Sequence, residues 1–499
     1  MATFVRPSGG GITLLKPPAM FLFDNIDLVV TARAIQNLIT LFCCLARPAT
    51  ATAPAIIKLI DAGMTLARFN LSHGTPKVSC ADDLDSSDNR SLDCLQDNAR
   101  MIAKFFEARK LRPFKTVALS LDLHGREIRS CPRTEPAEGI YYEMGMTAKV
   151  RSDGFLSGSS TQEVIQVDNE NLPKAVRPGD NISFEGGNLN AVVLATEMDE
   201  IKVQFKEAGH IYGANKVFIP GNRLAQLPIL TDEDKNDILN IAVKNRFDYL
   251  IVPNVTSVKD LQEVKYALSE DGKNIGLIAK VDNLEAIHQF EGILKYSNGV
   301  VVLRNELGQE LPPEKLMLAQ KWMIQTANMA AVPIYLQSQV MESMLEEDQT
   351  QARLDAQDVS VAVLDGCDGF ILSHETSVGK KPVEAAVMLA KAISEAEQIF
   401  DHEQAFQDAR NATKDEGNKA HSTDVLASTA TQIALDNNVD LMVCLTKTGS
   451  VARNLVRQKP EQLVLACSEF SNVVRQVNCS RGVLGYKIPV FLCKYLKLC

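Results

Sequence analysis

At 499 residues and 54.7 kDa the chain exceeds one ordinary hydrophobic core, so it divides into two to four domains. Its 45% hydrophobic and 23% charged residues, with 28 Gly and 20 Pro thinly spread, exclude wholesale disorder and collagen-like repeats. With 52 Lys and Arg against 62 Asp and Glu, the net charge of -10 offers no basic stripe for phosphate backbones, so nucleic acid is excluded as a partner.

The longest uncharged stretch, Trp322 to Met341, carries Gln325, Asn328, Pro333, Gln337 and Gln339, so no membrane span is expected. The first residues lack a basic start, an apolar block and a small-residue cleavage site, and the 11 cysteines include no CxxC pair. The expectation is reduced thiols in the cytoplasm, with Cys43 and Cys44 as core filling.

After a loose segment over 1–25, strand-length apolar runs alternate with amphipathic helical stretches. The strands are Thr40–Cys44, Thr65–Asn70, Thr116–Asp122, Tyr249–Pro253, Ile275–Val281, Gly299–Leu303, Val332–Gln337 and Gly369–Leu372. Between them lie helical patterns such as DNARMIAKFFEARK, TDEDKNDILNIAVKNR and SVKDLQEVKYAL, the last two opening on Thr231 and on Ser257 with Asp260 three residues on. Another, PPEKLMLAQKWMIQTAN, opens on Pro312-Pro313. Eight strand-helix units in series make an α/β chain with a closed (β/α)8 TIM barrel over 26–128 and 222–398.

From Arg129 to Gly221 the helical period stops and short alternating strands take over (TAKVRS, EVIQVDN, NISFEGGN, NAVVLAT, IKVQFKE), so 129–221 reads as an inserted β domain. Over 399–499 a helix (TDVLASTATQIALDNN), a strand (DLMVCL), the loop Thr446-Lys447-Thr448-Gly449-Ser450, a strand (QLVLAC), a helix and a last strand (IPVFLC) form a smaller C-terminal α/β domain. Gly9-Gly10-Gly11 has no preceding strand and is read as a flexible terminus.

A barrel works at its strand C-terminal ends, and reactive side chains collect there. The second strand ends in Arg68, Asn70, Ser72 and His73, the third in Asp122, the fifth in Lys280 and Asp282, the sixth in Arg304, Asn305 and Glu306, the seventh at Ser338 and the eighth at Ser373, His374 and Glu375. Asp282 and Glu306 on neighbouring strand ends, flanked by Lys and Arg, suit a hard divalent cation in a phosphate-binding surround. Phosphoryl transfer needs positioning and cations rather than a covalent nucleophile, and that is the inventory present. His374-Glu375 reads as a loop on the rim, and Met341 and Met344 as core.

The segments LIDAGMTLARFNLSHG, LSLDLHGREIR, IGLIAKVDNLEAI, VVLRNELGQELPPEKLMLAQKWMI, SQVMESM and DVSVAVLDGCDGFILSHETSVGKKPVEA closely resemble pyruvate kinase, in order and in spacing, from about Leu41 to Glu397. The resemblance implies a barrel interrupted after its third unit by a small β-barrel lid, a C-terminal regulatory domain and a homotetramer. It implies transfer of phosphate from phosphoenolpyruvate to ADP, the last step of glycolysis, with Mg2+ or Mn2+ and K+. By that resemblance Lys280 faces the transferred phosphoryl group, Arg68 grips phosphate oxygens, and Asp282 and Glu306 hold the divalent cation. Asn70, Ser72, Asp122 and the Leu123 carbonyl match the monovalent site, His73 and Arg129 the nucleotide side, and Ser338 a threonine near the substrate carboxylate and the enolate proton.

Several positions depart from the pattern. The family has Glu then Asp where this chain has Asp282 then Glu306, moving each carboxylate by about one methylene; a misplacement of about 1 Å can cost roughly 100-fold in rate. Asn305 replaces a substrate-binding glycine, and a left-handed backbone there would cost about 1–2 kcal/mol. His124 stands for a lysine, Arg126 for a proline, Gly186 for a lid aspartate, Leu45-Ala46-Arg47-Pro48 for Thr-Ile-Gly-Pro, and His374 for a glycine. Val451 replaces a phosphate-binding serine, and the chain stops at Cys499 before the family's remaining strands, so activation by fructose 1,6-bisphosphate is not expected. Two readings follow: a phosphotransferase of reduced activity, favoured by the retained Lys280, Arg68 and carboxylates, and an inactive paralogue with a binding or structural role.

Overall fold

The computed structural model describes residues 2–5, 7–8, 11–12, 40–44, 52–70, 89–112, 115–131, 134–135, 139–153, 159–212, 216–346, 349–377, 379–415 and 422–489. Eight parallel strands close into a barrel: Thr40–Cys44, Met64–Asn70, Ala118–Asp122, Tyr249–Val252, Gly276–Val281, Gly299–Leu303, Ile334–Gln337 and Gly369–Leu372, in that order, with the last paired to the first. The third to eighth of these strands are buried along their whole length. That is why they read as continuous apolar runs rather than alternating ones.

Helix starts follow local chemistry. Thr231 caps the helix Asp232–Asp237 in a reciprocal box with Asp234, and Ser257 with Asp260 does the same for Val258–Ala267. Pro313 opens the helix Pro313–Met329, where its missing N–H costs no hydrogen bond. The outward faces of the strands and the helices around them share one core, which includes Met341, with Met344 packed against it. The lumen is a second, smaller core of Leu66, Ala118, Tyr249, Ile251, Ile278, Val301, Leu303, Tyr335 and Ile371, joined from below by Cys479 of the C-terminal segment.

Between the third and fourth strands the chain leaves the barrel. Residues Thr147–Arg151, Val164–Gln166, Asn181–Phe184, Leu189–Thr196 and Glu200–Phe205 form a five-stranded sheet with its own apolar core. The neck of this insertion is a two-residue ribbon, Ile128–Arg129 against Lys216–Val217, with Lys216 directly opposite Arg129. The chain enters the neck through Gly125, whose φ of +63° and whose contact with Pro253 leave no room for a Cβ atom. Asp234 fixes that turn by accepting from the N–H groups of His124 and Gly125, at 2.9 and 3.0 Å.

The C-terminal sheet runs parallel through Leu441–Leu445, Leu463–Ser468 and Val483–Lys487. The last described strand is Val483–Lys487. Of the expected strand IPVFLC only Ile488 and Pro489 are described, and 490–493 lie outside the described residues. One expectation is corrected. At the other end, Ala2–Val5 of the segment read as loose pairs antiparallel with Leu441–Leu445 at the edge of this sheet. Gly11 pairs in a short ribbon with Ser8, while Gly9 and Gly10 lie outside the described residues.

This C-terminal unit docks under the barrel through polar anchors. Arg475 Nε lies 2.9 and 2.8 Å from the two carboxylate oxygens of Asp248, which is fully buried and also accepts from Leu119 N. Tyr249 and Tyr335 hydroxyls donate to the carbonyls of Gln476 and Cys479, and Gln476 Nε2 donates to the carbonyls of Asp248 and Asn274. Removing Arg475 strands a buried carboxylate, which typically costs about 3–5 kcal/mol. Arg475→Ala is therefore expected to lower the unfolding free energy by about that amount, read from the urea midpoint at unchanged slope.

Candidate active site

The C-terminal ends of the barrel strands converge on one carboxylate. Arg68, buried near the end of the second strand, donates from Nε to Asp122 Oδ2 at 2.8 Å, and its Nη2 bonds the same oxygen. Lys280 Nζ, from the fifth strand, reaches that oxygen too, at 2.8 Å. Asp122 is wholly buried, and its Oδ1 has no hydrogen-bond partner. Two cations share this one carboxylate, shielded from bulk water. Arg68 Nη1 donates to Ser373 Oγ at 3.3 Å, and Gln337 Nε2 donates to the same hydroxyl at 3.1 Å.

Beside this cluster stand Asp282 and Glu306. Asp282 Oδ2 accepts from Asn254 N at 2.9 Å, and its Oδ1 accepts from Asn283 Nδ2 at 2.9 Å. Asn283 is itself fixed as the cap of the helix Leu284–His288, its Oδ1 accepting from Ala286 N at 2.9 Å. Asn254 sits in the left-handed region at φ 53°, a strain of about 1–3 kcal/mol that turns its N–H onto the carboxylate. Glu306 lies in the first turn of the helix Arg304–Glu310; its Oε2 is buried without a hydrogen-bond partner. Burial pushes both carboxyls above the ordinary carboxylate range, and Lys216 pulls each back, while Asp282 adds to the rise at Glu306.

Arg304 does not face open space. Its guanidinium donates to the carbonyls of Ser338 (3.1 and 2.9 Å) and Gln339 (2.6 Å), and Nη1 meets Asp358 at 2.5 Å. Ser338 and Gln339 both hold positive φ, 70° and 54°, so two successive carbonyls turn onto this one cation. Arg304 thereby maintains the strained turn that presents Ser338 at the rim.

On the neck, Arg129 Nη2 meets Glu127 Oε2 at 3.1 Å, and Arg129 N donates to Asp168 Oδ1 at 2.8 Å. Asp168, whose carboxyl burial pushes up to about 6, also lies 3.7 Å from His124 Nε2. Burial alone would raise Glu127, but Lys216, Arg129 and Lys280 outweigh it and hold that carboxyl well below the usual range. Arg126 is taken up structurally, buried against Asp260, Thr256 and the Leu224 carbonyl.

The structure thus gathers Arg68, Asp122, Lys280, Asp282 and Glu306, with Asn70 opposite Asp122 in the strand register and Leu123 next along the chain. Ser72, His73 and Leu45-Ala46-Arg47-Pro48 lie outside the described residues. Asn305 is exposed in a helix and is not among the positive-φ residues, so the left-handed strain considered for it is absent. Gly186 lies in the turn Glu185–Gly187 of the insertion, and His374 begins the short helix His374–Ser377. Glu127, Asn254, Asn283, Gln337 and Lys216 join the site without having been singled out. Glu127 lies inside a motif already noted, whereas Lys216, on a two-residue strand, carries no pattern of its own.

Among the described residues no three His, Cys, Asp or Glu side chains form a metal cage. A magnesium-type site needs no such cage: one or two carboxylates with substrate oxygens and water suffice. Asp282 and Glu306 supply those carboxylates, and the unpartnered oxygens Glu306 Oε2 and Asp122 Oδ1 are donor atoms that suit bound cations. A barrel whose strand ends pair a buried Arg and Lys with two carboxylates that could hold a cation has the inventory of a phosphotransferase site.

The comparisons agree. Residues 39–386 match the pyruvate kinase barrel domain, and 424–493 match the pyruvate kinase alpha/beta domain. The chain is 32% identical to a pyruvate kinase of Eimeria tenella over 452 residues, covering 91% of this chain and 80% of that protein. It is 31% identical to a cytosolic pyruvate kinase isozyme of Solanum tuberosum, over 86% of this chain and 79% of that one. A crystal structure of a pyruvate kinase from Cryptosporidium parvum superposes with a TM-score of 0.79 at 30% identity, covering 95% of this chain and 93% of that one. The chain belongs to the pyruvate kinase family.

Asp122 is the keystone of this cluster. Asp122→Asn removes the shared counter-charge from two buried cations and is expected to cost about 3–5 kcal/mol, measured as a lower urea midpoint against the parent chain.

Proposed function

We propose that this chain moves a phosphoryl group from phosphoenolpyruvate to ADP, as the last step of glycolysis, in the cytosol. The observation that carries this reading is the convergence of Arg68 and Lys280 on one oxygen of Asp122 beside Asp282 and Glu306. Lys280 uses one of its three donors on Asp122, leaving two for the oxygens of the phosphoryl group in flight. Arg68, clamped at Nε and Nη2, offers a fixed guanidinium to the phosphate. Their two positive charges, fixed in a dry site before substrate arrives, stabilise charge spread over the transferred oxygens without reorganisation. The Ser338 hydroxyl, presented by the Arg304-held turn, lies on the side where the enolate takes its proton to become pyruvate.

Asp282 and Glu306 hold Mg2+ or Mn2+, which when bound polarises substrate oxygens as a Lewis acid. Asn70, Ser72, Asp122 and the Leu123 carbonyl hold K+; His73 and Arg129 serve the nucleotide side, and Asn305 with Glu306 lies along the substrate. The same reading divides the chain into the barrel (26–128 and 222–398), the lid (129–221) and the C-terminal domain (399–499), assembled as a homotetramer. The swapped lengths of the two carboxylates lower the rate relative to the family pattern. A second reading, an inactive paralogue, draws on Lys216, which stands 3.9 Å from Glu306 Oε1 and supplies the carboxylate with a counter-charge of the chain's own.

A coupled assay with phosphoenolpyruvate, ADP and K+, in Mg2+ and then Mn2+, separates the two. Turnover that falls about 100- to 1000-fold in Lys280→Met supports the enzyme; a folded parent chain with no turnover in either metal supports the paralogue. The swap is tested by binding. Asp282→Glu and Glu306→Asp are each expected to weaken Mn2+ affinity, and the double variant to restore it, with a coupling energy of about 0.5–3 kcal/mol. Additive losses would show that the two carboxylates do not compensate.

A further inference from the structure

The neck of the inserted sheet brings an unassigned cation to the carboxylate pair. Lys216 is 13% exposed, and its Nζ lies 3.5 Å from Glu127 Oε1 and 3.9 Å from Glu306 Oε1. Both separations exceed an ordinary N–H···O hydrogen bond. Its neighbour across the ribbon, Arg129, is by contrast bonded to the other oxygen of Glu127 at 3.1 Å. Lys216 therefore stands between two carboxylates, committed to neither, as a compact charge on a flexible stem whose ammonium also lies 5.0 Å from the Phe218 ring centroid. The other Glu306 oxygen, Oε2, is buried without a hydrogen-bond partner.

We propose that Lys216 is an exchangeable internal cation for the Asp282–Glu306 pair: it neutralises these carboxylates until a divalent cation enters, and then withdraws to Glu127. The physical need is plain. Three carboxylates, Glu127, Asp282 and Glu306, are gathered in a poorly hydrated corner, and charges so placed require counter-charge in every state of the protein. Lys280 is already bound to Asp122, and Arg129 to Glu127. A lysine that shifts by a rotamer between two acceptors meets the need with and without metal.

The arrangement also ties metal entry to the inserted sheet. Lys216 belongs to the two-residue neck, and other parts of the insertion also meet the Glu306 helix: Gly187 lies against the Gln309 side chain, and Gly221 N donates to Glu310 Oε1 at 2.6 Å. Displacing Lys216 removes one of these contacts, so the metal and the lid compete for Glu306.

This inference rests on Asp282 and Glu306 being the divalent site, and the test keeps the two claims apart. Free Mn2+ is followed by its paramagnetic resonance signal during titration of the full chain, without substrates. Lys216→Met is expected to bind Mn2+ about tenfold more tightly, since an opposing charge a few ångströms away is worth about 1–3 log units. Asp282→Asn is expected to bind it more weakly. In hydrogen exchange, Mn2+ should increase exchange over 209–219 in the parent chain and leave Lys216→Met unchanged. If Lys216→Met binds Mn2+ no more tightly while Asp282→Asn weakens it, the exchange proposal is wrong and the metal site stands. If Asp282→Asn binds as the parent does, the metal site itself is wrong. Should Lys216→Met fail to fold, Lys216→Gln replaces it with the same criteria.

Discussion

One oxygen of Asp122 accepts from both Arg68 and Lys280, and the rest of the site is arranged around that shared contact. A buried arginine and a buried lysine a few ångströms apart repel strongly in low dielectric, so neither is tolerable there without the carboxylate between them. The barrel makes the arrangement possible. Its second, third and fifth strands deliver the three side chains from different parts of the chain onto one rim, with Arg68 and Asp122 held two residues out of direct register across the same strand pair. What results is a guanidinium and an ammonium fixed and desolvated on the rim before any phosphate arrives.

The surrounding shell shows the same economy of means. Asp282 is aimed by Asn254 and Asn283, the first through a left-handed backbone and the second through a helix cap. Ser338 is aimed by a strained turn that Arg304 holds at two carbonyls. At these two places left-handed backbone is sustained by buried polar contacts: Asn254 N on Asp282, and the Ser338 and Gln339 carbonyls on Arg304. Below the barrel, Arg475 on Asp248 and the tyrosine hydroxyls serve a different purpose, closing the lumen with the C-terminal segment.

Much of this was legible in the residues. The eight barrel strands stood out because a parallel strand buried on both faces leaves an unbroken apolar run, and several helix starts because their caps are local chemistry. Arg68, Asp122, Lys280, Asp282 and Glu306 lie in long motifs at strand ends. Other features left no local trace. Arg304 reads as a ligand-facing cation until Ser338 and Gln339 are seen to turn their carbonyls onto it, and Asn305 reads as strained until its helical backbone is seen. The pairing of Ala2–Val5 with Leu441–Leu445 spans more than 430 positions of sequence, and a four-residue segment has too little periodicity to announce such a partner. Lys216 is hidden for the same reason: its importance comes from a two-pair ribbon folding it onto residues far away in the chain.

The central claim is that Asp282 and Glu306, with exchanged side-chain lengths, hold one divalent cation next to the Arg68–Asp122–Lys280 cluster. Anomalous diffraction at the manganese edge from crystals grown with Mn2+ addresses it most directly. The account predicts one anomalous peak bridging an oxygen of Asp282 and an oxygen of Glu306, with Lys216 turned to Glu127. A peak bound to only one of these carboxylates, or no peak on this rim at saturating Mn2+, would contradict it.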